Sequence, residues 1–241
     1  MQEISDDQRI KGMTAGDEEW KKQPVGVLAS GGLDSAILVG DLARTSPRVQ
    51  PMYVRFGLVW EETEEAGLRN FLSALKSSRV APLKVFECPI REVYGDHWST
   101  SGQATPDANS QDEAVFLPGR NLLLFSQTAI WCHLQGIGTI ASGVLAGNPF
   151  ADATDEYFES IERSVNLALT GKLRFVRPYR SLSKIDVLKR GVGLPLGETM
   201  SCIHPLQGRH CGCCNKCEER RKGFLTAGMA DPTTYAGEVD S

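Results

Sequence analysis

Residues 30–35 read Ser30-Gly31-Gly32-Leu33-Asp34-Ser35 and follow directly on the apolar run Val25-Gly26-Val27-Leu28-Ala29. The glycine pair lets the backbone come close to an anion, and the flanking hydroxyls add donors. The apolar content of 33–42 predicts a helix. The turn then lies at the helix's positive end, where amide N–H groups face outward. Together these residues form a cradle for a nucleotide's phosphates. A carboxylate beside phosphates, Asp34, implies either Mg²⁺ or a cap on the loop's own amides. The commoner phosphate motifs, a lysine-bearing P-loop or G-x-G-x-x-G, do not stand after this strand. A plain Gly-Gly turn is the simpler alternative, and six residues in strand–turn–helix context weigh against it.

A second chemistry sits near the other end. Cys202, Cys211, Cys214 and Cys217 give C-x8-C-x2-C-x2-C, five of the chain's seven cysteines falling within 202–217. Thiolates at x2 spacing converge on one tetrahedral ion, and four sulfurs with no open position describe a structural Zn²⁺. Cys213 reads as a spectator, with an exchange of register with Cys214 as the alternative. His204 and His210 each stand close enough to replace a thiolate, and an iron–sulfur cluster is the competing occupant. Cys88 and Cys132 lie alone in apolar segments, where packing accounts for them.

These residues need a frame. Strands are expected at 52–56, 83–87 and 138–144 besides the first, and helices at 61–76, 121–135 and 155–169. Strands alternating with helices imply a doubly wound, mostly parallel α/β sheet with right-handed crossovers. In such a sheet ligands bind beyond the carboxyl ends of the strands. The loops after Ala29, after Phe56 and at 143–155 therefore converge on one site. Helix 121–135 is apolar nearly all round, as a helix buried beneath the sheet should be. Residues 95–113 are polar and too long for a simple connection, which marks a mobile lid or functional cover.

The chain has 241 residues with net charge −4, and 41% of them are hydrophobic. That suits one large domain with a real core. The acidic balance disfavours direct nucleic-acid binding; the Arg220-Arg221-Lys222 cluster is a local exception that a solvated helix end explains equally well. No apolar run reaches membrane-spanning length and no signal-peptide pattern stands at the start. A cytoplasmic protein is the expectation. Domain organisation is expected as a flexible arm at 1–23, the α/β domain at 24–200, the four-cysteine zinc module at 201–226 and a tail at 227–241.

The loop resembles the SGGxDS signature of the PP-loop ATP pyrophosphatases. With FLPGRN at 116–121 and SCIHPLQGRHCGCCNKCEERRKGF at 201–224, the chain resembles the 7-cyano-7-deazaguanine synthase family (QueC) from about Val25 to about Phe224. The resemblance implies a carbon–nitrogen ligase using ATP, Mg²⁺ and Zn²⁺. It would adenylate the carboxylate of 7-carboxy-7-deazaguanine, let ammonia attack, and then adenylate the amide so that loss of AMP leaves the nitrile.

Carried over by residue, Leu28, Ala29, Ser30, Gly31, Gly32, Leu33, Asp34, Ser35, Gly119, Arg120 and Lys184 hold the nucleotide. Asp34, Lys184 and Arg120 are the catalytic candidates, and Cys202, Cys211, Cys214 and Cys217 hold the metal. Lys184 as an exposed helix-start lysine, and Asn121 as a mere helix cap, are the plain alternatives. Phe56, Asn121, Phe150 and Asp152 are the candidates on the substrate side, Asp152 for the N–H edge of a guanine-like base and Phe150 for its face. Family members are often homodimers.

The chain departs from the family in two places. A loop usually reading YGQRH is here Arg55-Phe56-Gly57-Leu58-Val59-Trp60, and a Ser-Gly-Tyr-Pro-Asp-Cys-Arg run is replaced by Asn148-Pro149-Phe150-Ala151-Asp152-Ala153-Thr154-Asp155. Both touch the side that reads base and acceptor. They leave room for a divergent ligase passing the same carboxylate to another amine, including a protein's. A tRNA-modifying enzyme and a non-catalytic partner are the more distant readings.

Overall fold

Strand β1 (Val25–Leu28) is buried along its whole length, as its apolar run requires of a strand covered on both faces. It pairs in parallel with β2 (Val49–Arg55) on one side and β4 (Thr139–Ala141) on the other. β3 (Lys84–Glu87) and β5 (Arg174–Val176) complete a parallel five-stranded sheet of order β3-β2-β1-β4-β5. This is a computed structural model that describes residues 19–236.

Alternation along the strands sends side chains to opposite faces. Val25, Val27 and Tyr53 pack against α1 (Leu33–Thr45), α2 (Glu61–Leu75), α7 (Lys184–Arg190) and α8 (Asn215–Thr226). Leu28, Met52 and Ile140 pack against α5 (Arg120–Leu134) and α6 (Asp155–Leu169). The doubly wound sheet expected from the sequence is the one found. β5 escaped the sequence reading because three residues carry no measurable alternation.

Three expectations need correction. α5 is not buried all round: Leu122, Ile130 and Leu134 are 53%, 49% and 72% exposed. β4 and β5 are only three residues long, so this flank of the sheet covers a single stripe of the helix. The polar segment 95–113 is a cover, but one pinned in place rather than a free lid. It carries α3's neighbour α4 (Trp98–Ser101), α3 being Arg91–Tyr94, and it is stitched to the cysteine segment. The Ala108 N–H donates to the Cys213 carbonyl at 2.9 Å, and the Asn215 N–H to the Pro106 carbonyl at 3.1 Å. Finally, Arg220 is no solvated helix end. It is 1% exposed, and its guanidinium donates to Thr199 Oγ1 (2.9 Å), Ser201 Oγ (3.2 Å) and the Leu196 carbonyl (3.0 Å).

The expected arm at 1–23 lies mostly outside the described residues. Its end, Glu19–Lys22, is a 3-10 turn that buries Trp20 in the main core. Among the described residues no helix is long and apolar enough to cross a membrane.

Candidate active site and metal centre

The turn between β1 and α1 has an open donor face. Gly31 has φ +82, and a Cβ there would lie 2.6 Å from the Glu64 carbonyl, so glycine is demanded by both conformation and space. Gly32 is the N-cap of α1 and makes no side-chain cap. The first amides of the helix are therefore left for a ligand. Ser35 Oγ accepts from the Ser30 N–H at 3.1 Å and lies 3.2 Å from Ser30 Oγ. Both hydroxyls are thus held at the mouth of the cradle. Leu28 and Ala29 are buried, and they contribute the strand end that aims the turn.

Across the cleft, α7 opens on Lys184 behind a capping box of Ser183 and Asp186. The lysine is no exposed helix-start residue. Its Nζ donates to both Asp34 oxygens at 2.9 Å and to Glu219 Oε1 at 3.2 Å. Burial works against the ammonium, but Asp34 and Glu219 outweigh it and raise its pKa. Glu219 also takes Lys216 Nζ at 2.6 Å. Burial acts to raise this carboxyl, yet Lys184 and Lys216 prevail and hold it at about 2. Neither Lys216 nor Glu219 was picked out from the sequence. Their three-residue spacing on one helix, inside the cysteine block, was the only signal.

Arg120 lines the same cleft as Ser30, Asp34 and Lys184. The helix it opens is preceded by Gly119 in the left-handed region, φ +73. Its Nε is buried without a hydrogen-bond partner, and its guanidinium lies over the Phe56 ring, 5.9 Å from the centroid. Phe56 itself is 1% exposed. It therefore supports Arg120 from below and offers no ring surface to a substrate. Glu64, Trp60 and Trp98 also line the cleft; the sequence reading singled out neither Glu64 nor Trp98. The two indoles stack at 5.5 Å.

Asn121 does not cap α5. Its Nδ2 donates to the Asp152 carbonyl at 2.8 Å, while its N–H donates to Asp152 Oδ2 at 3.1 Å. Asp152 is the residue that caps, and one of its oxygens is already engaged. Phe150 stacks on Phe116 at 5.1 Å. Asn121, Phe150 and Asp152 are thus joined in one cluster around the start of α5, next to Arg120.

The four cysteines expected to hold metal come together, their sulfurs all within 4.8 Å of one another. Cys202 and Cys214 Sγ are 3.8 Å apart, and Cys211 and Cys217 Sγ 3.9 Å. Metal–sulfur bonds of roughly 2.3 Å at tetrahedral angles give sulfur edges of roughly 3.8 Å, so the set fits one tetrahedral ion. Backbone N–H groups of His204 and Cys211 point at Cys202 Sγ, both at 3.3 Å, as suits thiolates. Cys213 is exposed and outside the set. His210 is buried, its Nε2 accepting from the Ser201 N–H at 3.1 Å. It braces the segment and does not ligate.

The family model for the queuosine biosynthesis protein QueC matches residues 25–228. That span holds the cradle, the lysine and arginine of the cleft, and all four metal-binding cysteines. The chain belongs to the QueC family. The 7-cyano-7-deazaguanine synthase of Pseudomonas fluorescens is 32% identical over 220 residues, 87% of this chain and 96% of that one. The synthase of Thiobacillus denitrificans is 30% identical over 221 residues, 87% and 97% of the two chains. Among solved structures, the U34-tRNA thiolase NcsA from Methanococcus maripaludis covers 90% of this chain and 71% of its own at 9% identity, with a TM-score of 0.48. That likeness is too loose to bear on function.

Against the QueC pattern, the altered loop after β2 has a structural logic of its own. Leu58 and Trp60 are 6% and 4% exposed and pack in one cluster with Cys202, Cys211, Cys214 and Cys217. The amides of Phe56 and Gly57 both donate to Glu61 Oε2. The loop after β2 is thereby packed onto the four-cysteine centre.

Proposed function

We propose that this chain is an ATP-dependent carbon–nitrogen ligase that converts 7-carboxy-7-deazaguanine and ammonia to 7-cyano-7-deazaguanine. The carrying observation is the uncapped start of α1 facing Lys184, Lys216 and Arg120 across one cleft. Amides and hydroxyls of 30–35 hold the phosphates. Lys184 and Arg120 meet the charge that develops as pyrophosphate leaves. A carboxylate is a poor electrophile until its oxygen becomes a leaving group, and transfer of AMP to it supplies that. A second round on the amide gives the nitrile. Asp34, an oxygen donor beside the phosphate cradle, would hold Mg²⁺, which neutralises phosphate charge.

The sulfur edges near 3.8 Å support Zn²⁺ at the cysteine centre, with about one ion per chain. A cubane cluster binds each thiolate to a different iron and spreads the sulfurs wider. A zinc held by these four thiolates would have no open position and would serve structure. The domain plan follows: an ATP-binding α/β unit through 200, with the four-cysteine module packed on its cleft side.

A second reading has its own observation. The Trp60–Trp98 stack gives the cleft an aromatic wall, and Leu58 is buried in the same loop as Trp60. They favour a relative that adenylates the same carboxylate but hands it to a larger amine. One assay separates the two: the chain with ATP, Mg²⁺, ammonium and 7-carboxy-7-deazaguanine, products read by mass spectrometry. Nitrile with AMP carries the first reading. AMP with amide only, or product only when another amine is added, carries the second.

A further inference from the structure

Glu64 has no part in holding phosphate, yet it lines the cleft with Ser30, Asp34 and Arg120. It is 9% exposed. Its main chain abuts the cradle, since the space beside Gly31 is closed by the Glu64 carbonyl and Cγ. Tyr53 donates its hydroxyl to Oε2 at 2.7 Å. An ionised carboxylate has about four acceptor positions, so the Tyr53 bond to Oε2 leaves acceptor capacity on a group that lines the cleft. Arg120 acts on the group from α5, and Glu61 from one turn earlier on α2. Burial pushes the Glu64 carboxyl up to about 7, with Arg120 and Tyr53 pulling back only in part.

A buried carboxylate is an odd thing to set beside a triphosphate. It repels the anion that the rest of the cleft attracts, so its place asks for a cation or a proton to receive. The reaction supplies both at one moment. Ammonia reaches a cleft at neutral pH mainly as ammonium, which has no lone pair to attack with. We propose that Glu64 is a catalytic residue that seats this ammonium and takes a proton from it before it attacks the acyl adenylate. The inference rests on the adenylation reading above.

In the step, one N–H proton passes to a Glu64 oxygen and the freed lone pair bonds the acyl carbon. The bond from that carbon to the phosphate oxygen then breaks, its electron pair leaving with AMP. The second proton, from the nitrogen of the tetrahedral adduct, goes to water. Glu64 returns its own proton to solvent, and no oxidant or reductant is needed. General-base help of this kind contributes typically about 10²- to 10⁴-fold.

Hydroxylamine separates this role from a structural one, because it is already unprotonated at neutral pH and needs no base. The wild type, Glu64→Gln and Glu64→Asp are each given ATP, Mg²⁺ and 7-carboxy-7-deazaguanine, with ammonium or hydroxylamine as nucleophile. Glu64→Gln should lose amide formation at least ~100-fold while hydroxamate stays within about threefold of wild type. Glu64→Asp should recover part of the amide rate. Undiminished amide from Glu64→Gln overturns the proposal, and so does a parallel fall of amide and hydroxamate, which marks a structural role. A wild type that makes neither product removes the adenylation reading itself and this inference with it.

Discussion

Lys184 Nζ stands 2.9 Å from both oxygens of Asp34, a residue 150 positions earlier in the chain. The pair joins the phosphate cradle at the start of α1 to the first residue of α7. In the proposed function it forms one wall of the ATP site.

Replacing Asp34 by alanine should therefore remove activity without removing the fold. We expect AMP release to fall at least ~100-fold, with metal content unchanged. Lys184→Met should do the same. AMP formation by chromatography and zinc by elemental analysis check both; undiminished turnover in Asp34→Ala would take the turn out of the mechanism.

Gly31→Ala tests the turn's geometry alone. The added methyl faces the Glu64 carbonyl at 2.6 Å in a residue with φ +82, and strain of this kind costs roughly 1–3 kcal/mol. A lowered melting temperature together with weakened ATP binding, measured by calorimetry, is the expected outcome.

Cys214→Ser should strip the metal and destabilise the cleft side of the domain, because Cys214 shares a core cluster with Val54, Phe56 and Trp60. Cys213→Ser, outside the set, should keep about one zinc per chain. Metal analysis of the two variants side by side distinguishes ligand from bystander, and a strong chelator should reproduce the first phenotype.

Arg220→Ala leaves the hydroxyls of Thr199 and Ser201 and the Leu196 carbonyl without their donor, and opens a cavity beside Phe224. A loss of about 3 kcal/mol is expected, read from denaturant midpoints.

Glu64 also writes a pH dependence into stability. Its folded pKa is raised from 4.5 to about 7. Between those values the native state binds more protons than the unfolded one, so stability falls as pH rises. Its contribution is complete below about 4.5 and gone above about 7. Glu219 runs the other way: held at about 2 against an ordinary 4.5, it adds stability above about 4.5 that is lost as pH falls toward 2. Melting curves of wild type and Glu64→Gln from pH 4.5 to 7.5 should converge on the acid side, with the wild type losing ground toward neutrality.

Much of this molecule could be read from its residues in order. The alternation of strand and helix, the SGGLDS turn and the C-x8-C-x2-C-x2-C spacing are local patterns. Their physical causes are hydrophobic period, positive-φ glycine and thiolate geometry, all acting over a few neighbours. The parallel sheet and the gathering of four sulfurs followed from them.

Other facts depend on contacts between distant segments, which no local pattern encodes. Lys184 was as easily a surface residue until Asp34 and Glu219 were brought to it. Arg220 looked solvated until the 196–201 segment closed over it. Glu64 is one acid in the run Glu61-Glu62-Thr63-Glu64-Glu65, where composition predicts a wetted helix face. Only the packing of α2 against the phosphate turn buries it beside Tyr53 and Arg120. Burial and electrostatic environment arise when chain segments meet in space, so tertiary structure alone decided which ordinary charged residues came to line the cleft.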